Sequence, residues 1–65
     1  MIENLKELTQ KHPNTNIEIG LISGKKIIDC SLKEINFNDD NLLIVINANK
    51  DKFFINSKYI EYIKI

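Results

Sequence analysis

A chain of 65 residues holds one domain, and a domain of that size buries only about 60% of its unfolded surface. A single cysteine, Cys30, excludes an internal disulfide, and together with the single histidine, His12, it is too few for a closed zinc site. Net charge is zero and all nine cations are Lys, so neither a strongly basic nucleic-acid footprint nor Arg-based bidentate contacts are available. With no catalytic motif, no cofactor and no metal set, the expectation is a non-enzymatic protein. Ile, Asn and Lys dominate, as AT-rich codons would encode, which suits a low-GC bacterium or one of its phages or mobile elements.

Residues 2–12 read as a helix. Ile2, Leu5 and Leu8 form a narrow apolar stripe. Glu3 and Glu7 lie early and Lys11 late, matching the helix dipole, and Pro13 disfavours helical geometry at His12. No apolar h-region of a signal peptide is present, and the longest apolar run, Leu42 to Ile46, is too short to span a bilayer. The expected location is therefore cytoplasmic, with no membrane partner.

From Ile17 the period becomes two: Ile17, Ile19 and Leu21 share one face and Glu18, Gly20 and Ile22 the other. Ser23-Gly24 is a two-residue hairpin signal. In the next strand Ile28, Cys30 and Leu32 are expected inward, against Ile27, Asp29, Ser31 and Lys33. Ile35 is out of phase with Leu32, which predicts a bulge or bend between them. Asn36 to Asn41 is a polar loop interrupted by Phe37. Leu42 to Ile46 is apolar throughout, as in a strand covered on both sides. After a turn at Ala48 to Asp51, Phe53 to Ile55 form a fourth strand, Asn56 to Lys58 a tight connection, and Tyr59 to Ile65 a fifth strand.

The expected fold is thus mostly β: one domain over residues 1–65, a short helix, then a strongly bent antiparallel barrel of five strands running from 17 to 65. In the last two strands, Phe53 and Ile55 oppose Phe54, and Ile63 and Ile65 oppose Ile60 and Tyr62. Strands apolar on both faces at a sheet edge invite pairing with another chain. Oligomerisation through Phe54, Ile60 and Tyr62 follows as an expectation.

Isolated residues have plain readings beside chemical ones. Asp39-Asp40 suits a metal or acid–base pair, but adjacent acids in an Asn-rich segment are ordinary turn formers. His12 lacks a partnered nucleophile. Cys30 falls on the core face, as a structural thiol would. Phe37 can stack on a base or cap the barrel end. Lys25, Lys26, Lys50 and Lys52 lie at hairpin tips, where charge normally serves solubility.

The order of elements resembles the Sm-like family, particularly bacterial Hfq. Ile19 to Lys26 looks like that family's first hairpin and Ile28 to Asn36 its bent second strand, with Cys30 where a glycine is frequent and Asn36 where an aspartate is. Phe54 to Ile60 looks like its fourth strand, short turn and fifth strand, with Ser57 and Lys58 in place of Arg-Gly or Lys-His. The resemblance implies a homo-oligomeric ring, a hexamer or heptamer, binding single-stranded RNA rich in A or U. Asn36, Phe37, Asn38, Asn56, Ser57 and Lys58 would line the site. The alternative is an SH3-like adaptor, or a phage or mobile-element inhibitor, that contacts another protein.

Overall fold

A computed structural model describes residues 2–39 and 41–65 of the chain. Helix α1 (Ile2–Lys11) precedes six strands: β1 (Asn16–Leu21), β2 (Lys26–Ser31), β3 (Asn36–Phe37), β4 (Leu42–Ile46), β5 (Lys52–Asn56) and β6 (Ile60–Lys64). Single turns of 3-10 helix follow β2, at Leu32–Glu34, and β5, at Ser57–Tyr59. The protein is mostly β, as expected, but with six strands rather than five, in two three-stranded antiparallel sheets ordered β2-β1-β6 and β3-β4-β5.

The extra strand arises because the expected bent strand is broken. Cys30 at the end of β2 bridges Asn47, just past β4, while Asn36 and Phe37 of β3 pair with Ile44 and Leu43. Both halves therefore run along the same edge of β4, with the Leu32–Glu34 turn between them. That turn, in which Ile35 N–H donates to Leu32 C=O, absorbs the phase slip between Leu32 and Ile35. Read across this junction, the strands follow one ribbon, β6-β1-β2/β3-β4-β5. Among the described residues no pairing closes β5 onto β6, so a closed barrel is not found.

The helix behaves as its stripe requires. Leu5 is fully buried, Ile2 and Leu8 pack partly buried against the core, and α1 lies over the Leu32–Glu34 turn. It ends at Lys11, one residue early, with His12 N–H still donating to Leu8 C=O, as Pro13 disfavours helical geometry at His12. The Glu7–Lys11 ion pair (3.0 Å) is solvent-exposed and contributes little.

Strand β2 corrects the expected alternation. Ile17 pairs with Cys30 but Ile19 pairs with Ile27, so Ile28 and Asp29 together oppose Glu18. Asp29 adopts φ 54° in this bulge. Ile27 is consequently buried while Ile28 is 56% exposed, the reverse of the period-two reading. Cys30 and Leu32 are buried as expected. The first hairpin also differs, with Ile22-Ser23-Gly24 as a three-residue loop. Gly24 N–H donates to Leu21 C=O and Gly24 takes φ 94°. Ala48-Asn49-Lys50 repeats this design, with Lys50 at φ 69° in the glycine position.

Strand β4 alternates cleanly: Leu43 and Val45 are buried, and Leu42, Ile44 and Ile46 are half-buried on the outer face beside Phe54. In β6 a register shift between Gly20 and Leu21 places Ile60 opposite Leu21 and Ile63 opposite Ile19. Ile60 and Ile63 thus share the core face, and Ile60 does not stand with Tyr62 as the sequence suggested. Tyr62 lies on the outer face over Gly20, and its hydroxyl donates to Glu18.

Candidate functional site

Two loops expected to act together meet at one end of the second sheet. The first follows β3. Asn38 N–H donates to Leu42 C=O, and Asp39 Oδ1 accepts from the backbone N–H groups of Asn41 (2.9 Å) and Leu42 (2.8 Å). Asp39 is therefore the turn former its context predicted, and those bonds hold its carboxyl below the usual carboxylate range. Asp40, the other member of the acidic pair, lies outside the described residues.

The second loop follows β5. Asn56 Oδ1 accepts from Lys58 N–H and so caps the Ser57–Tyr59 turn. Ser57 N–H donates to Asn41 C=O at 2.6 Å, and Asn56 pairs with Leu42 across β4 and β5. Between the loops lies an open depression of about 530 Å³ lined by Asp39, Asn41, Leu42 and Asn56. Its walls are amides and a carboxylate, and its apolar surface is Leu42.

The six residues expected to form the site are not all gathered there. Asn56 lines the depression, Asn38 and Ser57 belong to the loops that frame it, and Lys58 is exposed with its ammonium 5.7 Å from the Tyr59 ring centroid. Asn36 pairs with Ile44 on the outer face, whereas Phe37 pairs with Leu43 and packs half-buried against the core. Lys6 of α1 sits over the Phe37 ring, 5.5 Å from its centroid. Of the two readings of Phe37, capping the core end fits this position. Asn41 and Leu42 carry an imperfect form of the Asp…Asn-Leu spacing through which Sm-like proteins grip RNA, whereas Asp39 reads from sequence as a turn former alone.

Two further groups outside the depression are shifted from their ordinary values. Burial, with a smaller contribution from the Asp29 carboxylate, pushes the Cys30 thiol up to about 11. Its Sγ faces the carbonyl oxygens of Ile27 and Ile28. Tyr62 is raised above the ordinary phenol value, first by its hydrogen bond to Glu18. Among the described residues no group of three His, Cys, Asp or Glu side chains is placed to hold a metal ion, and no helix is long and apolar enough to cross a membrane. Comparison with protein-family models, with curated proteins and with solved structures found no match.

Proposed function

We propose that the chain is a non-enzymatic Sm-like protein that assembles through its sheet edges into a ring and binds single-stranded RNA at the Asn38–Asn41 and Asn56–Lys58 loops. The observation that carries this reading is the convergence of those two loops, distant in sequence, on one amide-lined depression. Amides and an apolar wall suit base edges and base faces, with Lys58 as the adjacent cation for phosphate. The ribbon order β6-β1-β2/β3-β4-β5 supports the Sm-like reading of the fold, in which a single bent second strand stands where a turn separates β2 from β3. Among the described residues the ribbon's terminal strands, β5 and β6, each pair along one edge only. Edge pairing of β5 on one copy with β6 on the next would continue the sheet around a ring and repeat a weak site many times.

Fluorescence anisotropy with labelled oligo-A and oligo-U across a salt series tests the RNA reading. Binding should weaken with salt, and Lys58→Ala should reduce both affinity and the salt slope, because one phosphate contact per site is lost. No binding to either oligonucleotide at low salt overturns it. A protein-binding, SH3-like role is favoured by a different observation. Phe54 is 66% exposed beside Ile44 on the outer face of a chain with no net charge. That patch suits a protein surface better than a phosphate backbone.

A further inference from the structure

We propose that Asp39 makes the depression between the two loops selective for nucleobases carrying an exocyclic amine, so that adenine and cytosine are taken in preference to uracil. This rests on the RNA reading above and adds to it the chemistry of the base. The four described residues lining the depression contribute unequally to selection. Leu42 offers an apolar wall that any base face can cover. Asn41 and Asn56 each carry an amide with one donor and one acceptor end, so they adapt to either kind of base edge. Asn56 Oδ1 is already engaged by Lys58 N–H, which leaves its amine the more available end.

Asp39 is the group that discriminates. It is ionised at neutral pH and is then only an acceptor. Its Oδ1 is committed to the backbone N–H groups of Asn41 and Leu42, so Oδ2 is the oxygen left to meet a ligand. A base seated beside it must offer an N–H. The N6 amine of adenine and the N4 amine of cytosine do so, and carboxylate recognition of the cytosine amine has a known geometric basis. Uracil carries carbonyl oxygens at both exocyclic positions, so only its N3–H can meet the carboxylate, and it does so with an acceptor on either side.

The test uses fluorescein-labelled A6, C6 and U6 ribo-oligonucleotides with the whole chain at low salt. Cytosine and uracil have rings of the same size, so their comparison removes most of the difference in stacking. The wild-type protein should bind C6 about tenfold more tightly than U6, a ratio equivalent to about 1.4 kcal/mol. Asp39→Asn keeps an oxygen for the two loop N–H groups and replaces the other with a donor. It should bring the C6/U6 ratio towards unity while its thermal melt stays unchanged. Equal or inverted wild-type affinities for C6 and U6 overturn the inference and leave RNA binding standing. This comparison needs no variant, so it holds even if Asp39→Asn folds poorly. A ratio preserved in a folded Asp39→Asn protein removes the assignment to Asp39. Failure of all three oligonucleotides to bind overturns the RNA reading and this inference with it.

Discussion

Among the described residues two with a Cβ hold left-handed backbone, Lys50 and Asp29. Lys50 occupies the left-handed position that Gly24 fills in the first hairpin, at φ 69°. Any residue with a Cβ is strained there, by roughly 1 kcal/mol or more. Lys50→Gly should raise stability by about 0.5–1 kcal/mol, after the unfolded chain's added freedom is set against the relief. Urea denaturation would read this as a higher midpoint at unchanged slope, and a lower midpoint would contradict the account. Asp29 shows the same strain in the β2 bulge, where its φ is 54°. Cys30 behaves as a small buried apolar side chain. Its folded pKa of about 11 lies above the ordinary 9.0, so the neutral thiol is the native form throughout the physiological range. The linked stabilisation is complete below pH 9.0 and is lost as pH rises through about 11. At pH 8 a thiol reagent should label Cys30 only as fast as the protein opens, and rapid labelling of the native protein would show that the thiol is accessible.

At the scale of elements, the contact between β1 and β6 depends on a missing side chain. Gly20 lies directly beneath the Tyr62 ring, and a Cβ there would occupy the space of the ring's Cδ2, Cε2 and Cζ atoms. Gly20→Ala should therefore destabilise the protein by about 1–3 kcal/mol, as overpacking typically does. In a Tyr62→Ala background the same substitution should cost much less. A double-mutant cycle by urea denaturation measures this coupling, and additive effects would show that the ring is not the obstacle. The helix is held on by Leu5, which is fully buried against the core. Leu5→Ala should cost about 2–5 kcal/mol. Phe37 packs against the same core beneath Lys6, so Phe37→Ala should lower the melting temperature irrespective of any effect on RNA.

The whole molecule is small, and among the described residues both ends of its strand ribbon lack a partner strand. Among the described residues ten hydrophobic side chains are buried, and the nine aliphatic ones contribute about 1.5–3 kcal/mol each, against the ordering entropy of the entire chain. Association through β5 and β6 would add burial that one copy lacks. Sedimentation at micromolar concentration should show a species several times 7.6 kDa, whereas a monomer alone would exclude the ring. The interface variants now separate. Ile60 is 8% exposed and faces the core of its own chain, so Ile60→Asp should unfold the protein. Phe54 is on the surface, so Phe54→Asp should leave a folded chain of reduced assembly mass. Unchanged mass in a folded Phe54→Asp protein would place the association surface elsewhere.

Much of this architecture was legible in the amino-acid order, because it follows from local rules. The stripe of Ile2, Leu5 and Leu8 and the stop at Pro13 define α1. Alternation defines the inward face of β1, and the Asn- and Gly-bearing segments mark turns; in β4, apolar throughout, the structure alone decides that Leu43 and Val45 face inward. The mostly β class and the absence of a long apolar helix follow equally from pattern and composition. Tertiary structure alone decided where the period slips. A bulge costs one residue of phase, and its position depends on which partner residues must be buried, not on the strand's own sequence. Thus Ile27 rather than Ile28 is inside, and Ile60 joins Ile63 in the core. The candidate site divides in the same way. Asn38, Asn56 and Ser57 were marked by residue type. The convergence of Asp39, Asn41 and Leu42 with them required β4 and β5 to pair in one register, because only that pairing sets the two loops side by side.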